Sequence, residues 1–237
     1  IGSNSIKLRV AHRTSDGHVT AQLSRTLDAR ISAGISRSDP QLSEEGMVRG
    51  QTAIQALLAE AGPFSPARIV LVATSAVRDA HNGADFISRV HAATGHTIRI
   101  LTGNEEANLI GRGLTCDPAL ATLRDFYVFD LGGGSLECLA FRDRHIAQAV
   151  SLQLGCVRLT EKFVADPAAP FAEPAASDIP RHTRASVAAS GFTFSLPTPA
   201  FAVGTGGTVT SVRAILAARA GTKLELTAPV VTLAQLR

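Results

Sequence analysis

The sequence contains no tryptophan, one tyrosine, one methionine and three cysteines in 237 residues. Cys116, Cys138 and Cys156 are too few and too scattered for a disulfide framework, and there is no CxxC or HExxH pattern to build a zinc site. Three buried free thiols in a reducing cytoplasm are the expectation. Long apolar runs are also missing. The longest, residues 69–73 and 214–218, span five residues each, against about 18 for a membrane helix. Residues 1–5 have neither a basic nor an apolar leader region, so no signal peptide is expected. Lysine is scarce: Lys7, Lys162 and Lys223 are the whole set, so twenty of the 23 basic residues are arginines. Forked guanidinium groups suit phosphate oxygens, although genomic base composition also enriches arginine. The net charge of +3 is too small to argue for nucleic acid. Neither nucleic acid nor membrane is therefore expected as a partner. An apolar content of 45% excludes wholesale disorder.

What is present alternates between strand and helix signals. Strands are expected over 6–13, 19–23, 69–74, 97–101, 126–131, 136–141, 145–152 and 200–203. The run 69–74 reads as buried on both faces, and Asp16-Gly17 marks a hairpin turn. Helices are expected over 43–61, 85–93, a short one capped by Asn104, 157–164, and about 208–218. The stretch 166–180 holds Pro167, Pro170, Pro174 and Pro180 and reads as a loop. The pattern indicates an α/β protein with mixed sheets.

An internal repeat stands out at an offset of 130 residues. Gly2 and Ser5 match Gly132 and Ser135, and the apolar positions Ile1, Ile6, Leu8 and Val10 match Leu131, Leu136, Cys138 and Ala140. Each copy reads as strand, Gly/Ser loop, strand. Asp130 directly precedes Leu131, so the repeat expects an Asp directly before Ile1.

Three glycine/hydroxyl loops follow strands: residues 2–5, 132–135 and 204–208. Glycine lets backbone N–H groups converge on an anion, Ser and Thr add hydroxyl donors, and a helix N-terminus favours phosphate. Together they point to a polyphosphate or nucleotide, although single Gly-rich turns are commonly only turns. No loop ends in Gly-Lys-Ser/Thr, and Val209 stands where a dinucleotide fingerprint needs its third glycine. Asp130 ends a strand, where a carboxylate can bind a phosphate-bridging Mg2+. Glu137 lies two residues beyond Ser135. Glu105 and Glu106 open a helix, where they are either dipole partners or a general base for water. Arg78, at a strand end, either clamps phosphate or makes a surface ion pair.

Six segments bring these residues into one order: Ile-Gly-Ser-Asn-Ser ending at Ser5, Ala-Thr-Ser-Ala-Val-Arg ending at Arg78, Gly-Asn-Glu-Glu-Ala ending at Ala107, Asp-Leu-Gly-Gly-Gly-Ser ending at Ser135 with Glu137 beyond, Gly-Cys-Val-Arg-Leu ending at Leu159, and Gly-Thr-Gly-Gly-Thr ending at Thr208. The chain thereby resembles the exopolyphosphatase / guanosine pentaphosphate phosphohydrolase family. The resemblance implies a duplicated actin-like (ribonuclease H-like) α/β fold, with two domains over 1–121 and 122–237 and a cleft between them. It implies Mg2+-dependent hydrolysis of a terminal phosphoanhydride in the cytoplasm, with inorganic polyphosphate or guanosine pentaphosphate as substrate, and it allows a homodimer. By motif position Glu106 is the expected base. Glu137 has a second catalytic part, and Asp130 is the expected metal ligand. Ser3, Asn4, Ser5, Arg78, Gly132, Gly133, Gly134, Ser135, Gly206, Gly207 and Thr208 are expected to hold phosphates, and Arg158 also matches a family arginine. The family carries an Asp before Gly-Ser-Asn-Ser and continues past the region of residue 237, so the first strand and the end of the second domain are expected to be incomplete here. The alternatives are an ATP-dependent kinase-like relative and a polyphosphate- or alarmone-binding module without catalysis.

Overall fold

The computed structural model describes residues 1–36 and 39–236; Arg37, Ser38 and Arg237 lie outside the described residues. Two strands open the chain, β1 (Ser5–Arg13) and β2 (Val19–Asp28), as an antiparallel hairpin turning at Gly17, whose φ is +90°. The 18-residue helix α1 (Glu44–Ala61) follows, with the Ser43 hydroxyl accepting from the Gly46 amide. A parallel pair, β3 (Leu71–Ala73) and β4 (Ile98–Ile100), is joined through α2 (Ser75–Asp79) and α3 (Gly83–Thr94). Ile1 ties the hairpin to this pair: its nitrogen donates to Val72 O at 2.7 Å and its carbonyl accepts from Thr74 N. The core beneath holds Ile31, Ile35, Met47, Ile54, Phe86 and Val90. Truncating a buried Phe of this kind costs about 3–5 kcal/mol.

The second half forms one four-stranded sheet in the order β7-β6-β5-β8, from β5 (Phe126–Leu131), β6 (Leu136–Arg142), β7 (His145–Leu152) and β8 (Phe201–Thr205). β5 runs antiparallel to β6 and parallel to β8. Helix α4 (Gly103–Thr115) lies against β6 and β7, with Ala107 buried beside Leu139 and Phe141. A Cβ on Gly111 would fall 2.7 Å from the Ile146 side chain, and one on Gly103 would fall 2.7 Å from Ser151 Cβ. The helix sits this close because those positions lack side chains. On the other face Phe192 and Leu196 pack over Tyr127 and Cys138. Helices α5 (Cys156–Phe163), α6 (Glu173–Ala189) and α7 (Gly206–Arg219) complete the half.

The repeat is visible in the backbone. Gly2 N donates to Ser5 O at 3.1 Å, and Gly132 N donates to Ser135 O at 3.1 Å. The register slips between Val10 and Ala11 in one copy and between Ala140 and Phe141 in the other. These positions again differ by 130.

Several expectations from the sequence are corrected. The stretch 166–180 is a loop only in its first part, because α6 starts at Glu173 with Pro174 in its first turn and carries Pro180 inside. Proline suits a first turn, and the exposed Pro180 leaves its freed carbonyl partner near water. The run 69–74 pairs only over Leu71–Ala73, and Ile69 and Val70 are exposed beside an apolar groove lined by Ile1, Leu8, Ile54 and Leu58. Asn104 is not the cap of α4; Thr102 is, through a reciprocal capping box with Glu105. Of the three cysteines only Cys138 is buried; Cys116 is exposed and Cys156 half-buried. Among the described residues no helix is long and apolar enough to cross a membrane.

Candidate active site

The second Gly/Ser loop lies directly on the first. A Cβ on Gly134 would fall 2.3 Å from both the Ser3 and Ser75 hydroxyl oxygens, and one on Gly133 would fall 3.3 Å from Ser3 Cβ. Ser3 and Ser75 are buried and share a hydrogen bond of 3.1 Å. Glycine at 133 and 134 is therefore what lets the two copies of the repeat meet. The close approach is reinforced from behind by α5, whose Gly155 would drive a Cβ to 2.2 Å from Gly133 O. The amides of Cys156 and Val157 donate to Gly132 O and Gly133 O.

The third loop becomes the first turn of a helix. Gly206, Gly207 and Thr208 open α7, with φ +92° at Gly206 and no side chain capping the helix. A Cβ on Gly206 would meet Asp130 Oδ1 at 2.6 Å, so only glycine allows the Asp130 carboxylate against this helix end. The Thr208 hydroxyl is buried without a hydrogen-bond partner.

Three carboxylates face this junction. Glu137 is 2% exposed and accepts from Ser151 Oγ at 2.7 Å. Burial first, then the negative charges of Glu106 and Asp130, push its carboxyl up to about 7, against the pull of the Ser151 and Ser135 hydroxyls. Glu106, from the first turn of α4, is raised as well. Burial dominates there, Arg78 opposes it, and Asp130 adds to it. Arg78 Nη1 donates to Glu106 Oε2 at 3.1 Å and to Leu101 O at 3.0 Å.

Most of the residues singled out by sequence come together here: Ser3, Gly133, Gly134, Glu106, Glu137, Asp130, Gly206 and Arg78. Arg78 lies on α2 rather than at a strand end, and it makes ion pairs with Glu106 and Asp79 that are largely buried rather than on the surface. Ser5 is turned elsewhere, with its hydroxyl donating to Asp28 Oδ1 at 2.7 Å and accepting from Asn4 Nδ2. Glu105 is committed to its capping box and to Arg99. Sequence reasoning missed Ser75, Ser151, Gln153 and Asp79. Ser75 and Asp79 flank Arg78 within one short segment, which is the only local signal they offered.

The model of the Ppx/GppA phosphatase family matches residues 10–232. A crystal structure of an exopolyphosphatase from Cytophaga hutchinsonii superposes with a TM-score of 0.83 at 20% identity, covering 96% of this chain and 70% of that one. A PPX-GPPA enzyme from Aquifex aeolicus gives 0.65 at 25% identity, covering 92% and 69%. The PilM–PilN type IV pilus biogenesis complex gives 0.54 at 13%, covering 94% and 84%. The duplicated, actin-like α/β architecture is the architecture of this chain.

Proposed function

Because the chain belongs to the Ppx/GppA phosphatase family, we propose that it removes the terminal phosphoryl group of inorganic polyphosphate, of guanosine pentaphosphate, or of both, by Mg2+-assisted attack of water. The observation that carries this reading is Glu106. It is a partly buried carboxylate with raised proton affinity, held by one arginine at the junction of the loops that carry Ser3 and Gly134.

In this reading the terminal phosphoryl oxygens lie among the Ser3 and Ser135 hydroxyls, the backbone amides of 133–135 and the open N-terminus of α7. Arg78 occupies Glu106 Oε2, so Oε1 is the oxygen that takes a proton from water. Its raised affinity suits a base working near neutrality. Glu137, neutral or charged near pH 7, orients that water or takes up charge as it develops. Little covalent chemistry is asked of the protein, and positioning and charge stabilisation carry the rate.

The donor set fits a divalent cation. Glu106 and Asp130 raise the proton affinity of Glu137, Asp130 raises that of Glu106, and among the described residues Arg78 is the one basic side chain hydrogen-bonded to this group; the substrate is itself a polyanion. Among the described residues no three His, Cys, Asp or Glu side chains are gathered closely enough to hold a metal unaided. Mg2+ characteristically binds through one or two carboxylates plus substrate phosphates, and Asp130 with Glu137 would supply that share. When bound, it neutralises phosphate charge and stabilises the departing phosphate. The test is phosphate release from each substrate in Mg2+, with ATP as the comparison. Release from polyphosphate or guanosine pentaphosphate without any acceptor supports the proposal. Tight binding with no release would leave a binding module, and turnover of ATP that needs an acceptor would mean a kinase-like enzyme.

A further inference from the structure

We infer that Asp79 is a positioning residue for Glu106, and that Arg158 from the second half holds Asp79 in that task. The activity arm of the test rests on the hydrolase reading above; the structural arm does not.

Asp79 ends α2, beside Arg78, and its two oxygens are divided between two arginines. Oδ1 accepts from Arg78 Nε at 3.3 Å. Oδ2 accepts from Arg158 Nη2 and from Gln153 Nε2, the latter at 3.3 Å. Arg158 is 7% exposed, and every nitrogen of its guanidinium is engaged. Nε donates to Gly134 O at 2.8 Å and Nη1 to Ile35 O at 3.2 Å. Its backbone is fixed too, because α5 begins on the carbonyls of Gly132 and Gly133. Glu161, one turn further along α5, accepts from the amides of Gly34 and Ser36. A continuous chain of contacts thus runs from the phosphate-loop residue Gly134 through Arg158, Asp79 and Arg78 to Glu106.

Arg78 and Arg158 each feel the other's positive charge, and Asp79 lies between them. With Nε on Asp79 Oδ1 and Nη1 shared between Leu101 O and Glu106 Oε2, Arg78 meets Glu106 through Nη1 and leaves Oε1 free. Without that carboxylate the guanidinium would turn its fork fully onto Glu106, as Arg–carboxylate pairs prefer, or be driven off by Arg158. Either outcome misplaces the base. α2 belongs to the core of the first half, while Glu106 and Arg158 ride on helices packed against the second. Seating Asp79 therefore requires the two halves to be together, because Gln153 and Arg158 hold its Oδ2.

The test combines Asp79→Asn, which keeps the shape and removes the charge, with Glu106→Gln. Asp79→Asn is expected to lower kcat by roughly 10- to 100-fold with KM held within about threefold. In the Glu106→Gln background it should cost less than about twofold more, because residues acting as a unit are non-additive. Equal losses in both backgrounds, or an unchanged kcat, would overturn the inference. Arg158→Lys, which keeps the charge and loses the fork, is the second variant should Asp79→Asn not fold, and the same split is expected. Independently of activity, both variants should speed amide hydrogen exchange at Glu106 and Ala107 by roughly threefold or more, and unchanged exchange there overturns the coupling. A wild-type protein that releases no phosphate from either substrate would remove the hydrolase reading while the exchange result still decides this one.

Discussion

Glu137→Gln should stabilise the protein while disabling it. The carboxyl moves from an ordinary 4.5 in the unfolded chain to about 7 in the folded one, chiefly through burial. That difference corresponds to about 3 kcal/mol of stability withheld when the pH lies above the folded value. Gln can still accept from Ser151 Oγ, so the substitution keeps that contact. The net expectation is about 3 kcal/mol at pH 8, or roughly 6–12 °C in melting temperature for a chain of this size. The sign follows from which form the fold prefers. Folding favours the protonated carboxyl, so the wild type has this contribution in full below 4.5 and loses it as pH rises to about 7. The gap between wild type and variant should therefore be near zero at pH 4.5 and widen up to pH 7. Urea titrations at pH 5 and pH 8 in a chelator, with phosphate release measured in parallel, read both effects. A variant no more stable than wild type at pH 8, or a gap that does not change with pH, would refute the reasoning.

Glu106→Gln should lower kcat by about 10²–10⁴ with KM nearly unchanged, because Gln can still accept from Arg78; near-normal turnover would remove Glu106 from the role of base. Gly155→Ala should destabilise by about 3 kcal/mol, since the atom 2.2 Å from its Cβ is the Gly133 carbonyl and backbone there cannot step aside without moving the loop of residues 132–135. Gly134→Ala should cost less in a thermal melt, because its 2.3 Å neighbours are two serine hydroxyls that can rotate; equal melts for the two variants would contradict this. Thr102→Ala removes the capping box of α4 and should cost about 1 kcal/mol in denaturant titration.

The loops were legible in the sequence because each is local: a strand, a turn needing glycine, and a strand. The hydrogen bond from Gly2 to Ser5 and its copy at Gly132 need only four residues to form. Glu105 and Glu106 were not separable from composition. They differ because neighbouring helical positions point about 100° apart, which returns Glu105 to Thr102 and sends Glu106 to Arg78. Asp79 and Arg158 are 79 residues apart in sequence, and no pattern along the chain announces that they meet. The proline-rich stretch misled for the opposite reason. Composition argues against a helix, yet Pro174 falls in the first turn, where a helix accepts it, and the interior Pro180 lies on an exposed side, where the carbonyl it leaves unbonded can reach water.

The repeat also shows why one copy carries a perturbed acid and the other does not. Lys7 stands where the second copy has Glu137. The backbone around the two is the same, down to the turn hydrogen bond and the slipped register five residues after each loop. What differs is the cover. β6 is buried on both faces, by α4 with Ala107 and by Phe192 with Leu196. β1 lies open at Lys7 and Arg9. A carboxylate at position 7 would be solvated and would keep an ordinary proton affinity, whereas the same group at 137 is desolvated and placed beside two others. The perturbed acid is thus a product of packing laid over one copy of a duplicated strand. The helix that provides the packing, α4, is also the one that carries Glu106 to it.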